Sequence, residues 1–166
     1  MEDANELNNL THSQKIEDLE RRLLPTGITS ETPGADEFCP MIHLFSPGIY
    51  IRGILMRAGR YIIGHEHKTE HFNFVLNGKA LVDIDGVQHL IEAPSIFKSE
   101  PGVRKVLIIL EDMRWVTVHP NPTDERDLKK LDEMFVAKSA TWLEHHERLA
   151  EQQIGTNAHL PSETPL

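Results

Sequence analysis

Short apolar runs separated by turn dipeptides fill the middle of this chain and constrain its fold most strongly. Asn77-Gly78 and Asp85-Gly86 each lie between two such runs, and both dipeptides accept the positive φ angles that tight hairpin turns require. Pro101-Gly102 marks another turn. About eight short strands fit between residues 41 and 119, a spacing that is typical of a β-sandwich or a small barrel. We therefore predict an all-β domain.

The same dipeptides predict where the strands turn. A hairpin through Asn77-Gly78 is expected to join residues 72–76 to residues 79–84, and Asp85-Gly86 is expected to turn the chain into the next strand. Glu111-Asp112 is interpreted as a later hairpin turn rather than as a pair of catalytic carboxylates. Each strand in this scheme is short.

Helical periodicity is confined to the two ends of the chain. Thr11 and Gln14 have the form of a capping box. Thr123 or Asp124 is predicted to cap a second helix, and Ser139 a third. The apolar residues that follow the first capping box at helical spacing are Ile16, Leu19, Leu23 and Leu24.

These features divide the chain into four parts. We expect an N-terminal helix and linker at residues 1–40, a barrel at residues 41–120, two C-terminal helices at residues 121–155 and a flexible tail at residues 156–166. The linker is rich in turn residues, and the tail holds prolines without an apolar pattern.

Composition narrows the classes of function. The formal net charge of the 166 residues is -9 with no clear basic patch, which disfavours nucleic-acid binding because that needs clustered Lys and Arg against phosphates. The longest aliphatic run, Val106 to Leu110, is far too short for a bilayer span, and the acidic N-terminus does not resemble a secretory signal. The single cysteine, Cys39, allows no intrachain disulfide. We expect a cytoplasmic protein that binds neither nucleic acid nor membrane.

Three histidines within seven residues give the strongest chemical signal. His65 and His67 are two positions apart, so on a strand both imidazoles point to one face. His71 follows after a segment that can turn the chain. Neutral imidazoles suit Fe, Mn, Ni and Zn. We therefore predict that His65, His67 and His71 bind a divalent transition metal; the alternative is a polar sheet face that binds nothing.

The spacing of Gly59, His65, His67, His71 and Gly78 resembles the first signature motif of the cupin superfamily. In that motif a glutamate normally follows the two histidines, and here the slot holds a histidine. The resemblance implies a small antiparallel jelly-roll barrel of the RmlC-like type, with the histidines facing its lumen.

The second cupin motif is altered. It normally ends in a histidine ligand, and here Pro101-Gly102 is followed by Lys105 at that position. Lysine is a cation at neutral pH and a poor metal ligand. Lys105 is therefore a candidate for binding an anionic ligand. His119 shares strand parity with Trp115 and completes a polar lumen if that face looks inward; a histidine meeting solvent at a strand end is the alternative.

Two functions of different class remain open. The first is a binding or assembly module with a degenerate metal site, favoured by the missing fourth ligand and by the terminal helices. The second is a mononuclear metal-dependent enzyme, an oxygenase or an isomerase. In the enzyme, His65, His67 and His71 would hold the metal and Lys105 would pair with a small anionic substrate. A small-ligand sensor is a weaker third option.

Apolar residues on both faces of residues 49–56 predict a covered outer face, and we expect a homo-oligomer in the form of a C2 dimer. The segment from Lys68 to His71, the Pro101-Gly102 turn and the segment from Glu111 to His119 also resemble short cupin proteins of tailed bacteriophages. That resemblance implies a virion or phage-accessory role, with location in the host cytoplasm or the virion. The terminal helices would then contact a virion protein or another protein partner.

Overall fold

A computed structural model describes residues 10–26 and 39–157 of the chain; for residues 152–157 it describes the helix but not the side chains. The helices are α1 (His12–Leu23, followed by a short 3₁₀ turn at Leu24–Thr26), α2 (Leu128–Phe135) and α3 (Ala140–Asn157). The strands are β1 (Met41–Ser46), β2 (Gly48–Met56), β3 (Tyr61–Ile63), β4 (Glu66–His67), β5 (His71–Ile84), β6 (Val87–Glu92), β7 (Ser95–Ser99), β8 (Lys105–Asn121) and β9 (Val136–Ala137).

Seven of these strands form one antiparallel sheet that folds on itself into a jelly roll. The strands follow the order β1-β2-β8-β5-β6, with β3 paired to β8 and β7 paired to β5. β4 and β9 form a separate small ladder. The predicted all-β jelly-roll fold with one N-terminal helix and two C-terminal helices is confirmed.

Side-chain alternation along the strands separates the barrel interior from its outside. The interior at one end is apolar and includes the fully buried Val75, Ile109 and Met113. At the other end Tyr50 packs with Leu131 and Phe135 of α2, so this helix closes the mouth of the barrel. No helix in the described part of the chain has the length and apolarity that a membrane span requires.

The prediction of a hairpin at Asn77-Gly78 is wrong. The chain runs through this point as one strand, β5, and the register against β8 shifts here, which marks a β-bulge. Gly78 has a φ of 89°, and a Cβ on it would meet the Asp112 carbonyl oxygen and lie 2.6 Å from Met113 Cα. A dipeptide that accepts positive φ therefore forms a bulge where the register between the paired strands β5 and β8 shifts.

The prediction of a hairpin at Glu111-Asp112 is also wrong, because β8 runs unbroken from Lys105 to Asn121. The Asp112 carboxylate instead accepts hydrogen bonds from Ala58 N (2.9 Å) and Arg57 Nη1 (2.6 Å), which holds the turn after β2. The Asp85-Gly86 hairpin is confirmed, with φ angles of 51° and 82°.

The helix caps agree with the sequence in part. Thr11 and Gln14 form the predicted capping box, and Ser139 Oγ accepts from Trp142 N at 3.1 Å at the start of α3. The prediction that Thr123 or Asp124 caps α2 is wrong, because the cap is Asp127, whose carboxylate accepts from Lys129 N and Lys130 N. Asp124 lies in a turn with a φ of 51°, and its carboxylate accepts from Gly48 N. Within the predicted linker and tail, residues 27–38 and 158–166 lie outside the described residues.

A buried carboxylate joins the helices to the barrel. Glu20 of α1 is 1% exposed, and it accepts hydrogen bonds from Arg104 Nη2 and Ser139 Oγ, each at 2.5 Å. Arg104 Nε in turn donates to the Gly64 carbonyl at 2.8 Å. This network fixes α1, the start of α3 and the two loops that lead to His65 and Lys105.

Candidate metal centre

Three buried histidines meet inside the barrel near its mouth. His67, His71 and His119 each place a ring nitrogen so that all three nitrogens lie within 4.8 Å of one another. The ring centroids are 4.2 Å apart for His67 and His71, 4.9 Å for His71 and His119 and 5.5 Å for His67 and His119. Nitrogens this close can share one metal ion.

Strand register explains why these residues meet although they are far apart in sequence. Phe72 of β5 pairs with Val118 of β8, so the neighbouring His71 and His119 lie side by side on the inner face. His67 reaches them from β4, which pairs with β9, and its carbonyl also accepts from Gly102 N at 2.8 Å. Three separate strands thus supply the three imidazoles.

The protonation of the histidines suits metal binding. Burial lowers the pKa of His119 to about 3 and also lowers the pKa of His67 and of His71 below the usual range. The imidazoles are therefore neutral at physiological pH and retain a lone pair. His71 Nδ1 donates to the Thr69 carbonyl at 3.1 Å, which leaves Nε2 as its free lone-pair nitrogen.

Several buried nitrogens at the site lack a hydrogen-bond partner among the described residues. Both ring nitrogens of His119 and Nδ1 of His67 are in this state. Buried polar atoms are nearly always satisfied, so such a cluster requires an explanation. A transition-metal ion is the group that three converging neutral imidazoles fit, and the residues present are therefore compatible with one.

The structure places His65 outside this group. Its ring meets Trp142 of α3 edge to face with the centroids 5.2 Å apart, and burial lowers its pKa to about 4. His119 occupies the third position that the sequence interpretation assigned to His65. The signal for His119 was its inward strand parity with Trp115 and Thr117, which the structure bears out.

The lumen in front of the histidines forms a cavity of about 120 Å³. Lys105 lies in its wall and is 9% exposed, and burial lowers the pKa of its amine to about 8. Asn73 also lines it and is fixed on both sides, since it donates to Ser99 Oγ at 2.9 Å and accepts from Trp115 Nε1 at 2.8 Å. The wall thus combines fixed polar groups with a cation.

Arg52 is a lumen residue that the sequence interpretation missed. It lies on β2 opposite Thr117 of β8, and its Nη2 is 3.4 Å from His67 Nε2. The available signal was strand parity, because Arg52 is a charged residue two positions from Tyr50 and Ile54, both of which the alternation places inside.

Comparison with known proteins supports the fold. No family model and no curated protein sequence matches the chain. Among solved structures, salicylate 1,2-dioxygenase from Pseudoaminobacter salicylatoxidans is similar with a TM-score of 0.51 at 13% identity, covering 76% of this chain and 34% of that one. An RmlC-like cupin from Shewanella frigidimarina gives 0.48 at 17% identity, covering 58% and 86% of the two chains, and KdgF from Halomonas gives 0.48 at 14%, covering 57% and 86%.

The chain has the cupin fold. Identities this low establish the fold alone, so the histidine site is characterised by its own geometry. The resemblance to phage cupin proteins is not supported by these structures and stays a prediction from the sequence.

Proposed function

We propose that this cupin binds one divalent transition-metal ion through His67, His71 and His119 and uses it in chemistry on a small molecule. The unsatisfied ring nitrogens of His67 and His119 carry the proposal, because one metal ion would bind one nitrogen of each ring. Fe, Mn, Ni and Zn all accept imidazole ligands.

Three protein ligands leave coordination positions open for water and substrate. A metal ion bound there would supply Lewis acidity and, for Fe or Mn, redox chemistry. The chain itself supplies the rest: the hydrogen bond from His71 to Thr69 orients that ring, and Asn73 is held in place by Ser99 and Trp115. Lys105 adds positive charge to the wall of the lumen.

The proposal also includes a class of reaction. We favour a mononuclear oxygenase or isomerase that acts on a small anionic substrate, because Lys105 and Arg52 both line the lumen. The salicylate 1,2-dioxygenase that shares the fold was solved with gentisate adducts. That precedent supports the choice of a small organic acid.

A non-catalytic binding or assembly module is the second candidate. The observation that favours it is the pair of cations beside the histidines, since Lys105 and Arg52 would oppose a bound divalent cation. In that case the lumen would bind an anion without metal. A virion or phage-accessory role, partner binding through the terminal helices and a cytoplasmic location all stay predictions from the sequence.

Elemental analysis of the full chain, purified without an affinity tag, separates the two candidates. We expect about one metal ion per chain in the wild type and loss of the metal in His67→Ala, His71→Ala and His119→Ala. His65→Ala is the matched control, because this half-buried histidine lies outside the group and its variant should keep the metal. A metal-free wild type, or equal loss in His65→Ala, would contradict the proposed site.

A further inference from the structure

Arg52 lies between two cavities of the barrel. It lines the lumen cavity described above and a second cavity of about 290 Å³ between the barrel mouth and helices α2 and α3. The walls of this second cavity, which we call the helix-side cavity, also include Tyr50, His119 and Trp142. A group bound to Arg52 would therefore lie beside the three histidines and beneath the helices.

The guanidinium of Arg52 has no carboxylate partner within ion-pair distance among the described residues. Among the residues that the structure describes, its one polar side-chain contact is the 3.4 Å approach of Nη2 to His67 Nε2. Asp132 faces the same cavity, but its carboxylate already pairs with Lys138 at 2.7 Å. A largely enclosed cation without a counter-ion is costly, so an anion from outside the chain would be stabilised there.

Other groups around Arg52 also favour binding of an anion. Lys105 contributes positive charge on the lumen side, and Lys129 does so on the helix side. Nδ1 of His65 is buried in the helix-side cavity wall and has no hydrogen-bond partner among the described residues. The helix-side cavity thus offers the guanidinium of Arg52 and the unpartnered Nδ1 of His65. The acidic residue in its wall is Asp132, which pairs with Lys138.

The chemistry of the site selects the kind of anion. A guanidinium presents two parallel N–H donors, which match the two oxygens of a carboxylate. The helix-side cavity also has aromatic walls, with Tyr50 stacked on Phe135 (centroids 5.8 Å apart) and Trp142 packed on His65. Such walls suit the apolar body of a small organic molecule.

We infer that Arg52 binds the carboxylate of a small organic acid whose apolar body lies in the helix-side cavity. Binding of the acid does not require a metal ion. Only its use as the substrate of the metal centre rests on the proposed function. The inference also assigns a role to His65, which would make a polar contact to the acid and would not be a metal ligand.

Ligand binding to the full chain after removal of metal by chelator tests this inference. Sodium benzoate is the probe, with uncharged benzamide and inorganic phosphate as comparisons, and calorimetry gives the dissociation constants. We expect benzoate to bind, benzamide and phosphate to bind at least tenfold more weakly, and Arg52→Met to weaken benzoate binding at least tenfold. Arg57→Met is the control, because Arg57 lies outside both cavities in an exposed pair with Asp112.

Thermal unfolding keeps the test decisive if Arg52 has a structural role. Without ligand, Arg52→Met should unfold at the wild-type temperature or above, because an unpaired enclosed charge is removed. A lowered unfolding temperature for Arg52→Met, absence of benzoate binding to the wild type, or unchanged benzoate binding in Arg52→Met would each overturn the inference. Because the protein is metal-free throughout, none of these results depends on the metal site.

An independent observation concerns the outer face of the barrel. Helix α1 packs on one layer of the jelly roll, where His12 Nε2 lies 3.3 Å from Asp83 Oδ1 and Ile16 is buried. The other layer, formed by β1, β2, β7 and the facing parts of β5 and β8, has an apolar outer face that no described residue covers. Its most exposed side chains are Ile42, Leu44, Phe72, Leu76 and Ile96, which are 50–68% exposed.

Register makes this outer face continuous. Leu44, Ile51, Val118 and Phe72 form one row across four strands, and Phe74 pairs with Ile96 in the next row. Five strands about 4.8 Å apart, each about 20 Å long, give a face of about 20 Å by 20 Å. The face covers about 400 Å² in plan, and its protruding side chains bring its accessible surface towards the roughly 800 Å² that each partner of a stable interface contributes.

We propose that a second copy of this chain covers the outer face in a two-fold dimer. The chain carries a net charge of -9, but the centre of this face is uncharged, so two copies can pack there without like-charge repulsion. Gly53 supports the flatness of the face, since a Cβ on it would lie 2.7 Å from Ile42 Cγ1.

Analytical ultracentrifugation of the full chain at micromolar concentration tests the dimer. We expect a dimer for the wild type and monomers for Phe72→Asp and Ile96→Asp. Leu90→Asp is the matched control, because Leu90 is 60% exposed on β6, away from this face, and its variant should remain dimeric. A monomeric wild type, or dimers that persist in both face variants, would overturn the proposal.

Discussion

Glu20 is predicted to hold the helices on the barrel through a buried ion pair. Its carboxylate accepts from Arg104 and from Ser139, and the Glu20 and Arg104 side chains are 2% and 12% exposed. Glu20→Gln preserves the shape but leaves the Arg104 guanidinium without its counter-charge. Loss of one member of a buried pair costs about 3–5 kcal/mol.

Thermal unfolding of the full chain, followed by circular dichroism, measures this cost. Because 1 kcal/mol shifts the midpoint by about 2–4 °C in a domain of this size, Glu20→Gln should unfold about 6–20 °C below the wild type. Asp18→Asn is the control on the same helix, since Asp18 pairs at 2.9 Å with Arg22, whose side chain is 63% exposed. Exposed pairs at this spacing contribute about 0.3–0.5 kcal/mol. Similar small shifts in both variants would refute the role of Glu20.

Two further predictions concern the bulge and the lumen. Gly78→Ala should destabilise the fold by about 1–3 kcal/mol or more in urea unfolding, because of its positive φ and its approach to Met113. Gly102 has a similar φ, but a Cβ on it would meet no atom within 4 Å, so Gly102→Ala should lower the free energy of unfolding by less. Equal losses of stability in the two variants would contradict the bulge argument. Burial lowers the pKa of Lys105 to about 8 from 10.5, so the unfolded chain binds more protons between these values and stability should rise with pH there. Metal-free wild type should gain about 2 kcal/mol over Lys105→Met between pH 8 and pH 10, and parallel pH profiles would exclude this effect.

Local sequence signals were sufficient for the fold class but not for the strand connections. Asp85-Gly86 forms the predicted hairpin, whereas Asn77-Gly78 forms a bulge within β5. Both dipeptides accept positive φ, and the difference lies in the pairing with β8, whose backbone at Asp112 and Met113 lies close to Gly78. That pairing joins residues far apart in sequence, so no short pattern contains it.

The candidate site divides in the same way. His67 and His71 were predicted from their spacing in one short segment. His119 joins them through the β5–β8 register, and its parity could only make it a candidate before that register was known. His65 shares strand parity with His67, but β4 begins at Glu66 and His65 turns towards Trp142. The sequence signal of Arg52 was its position as a charged residue within an otherwise apolar strand, with the parity of Tyr50 and Ile54.

X-ray absorption spectroscopy of the metal-loaded full chain tests the central claim most directly. We predict a first shell that contains three imidazole nitrogens, at about 2.0–2.1 Å if the metal is zinc, with the imidazole signal lost in His119→Ala and unchanged in His65→Ala. A first shell without imidazole, or one that depends on His65 and not on His119, would contradict the metal centre formed by His67, His71 and His119.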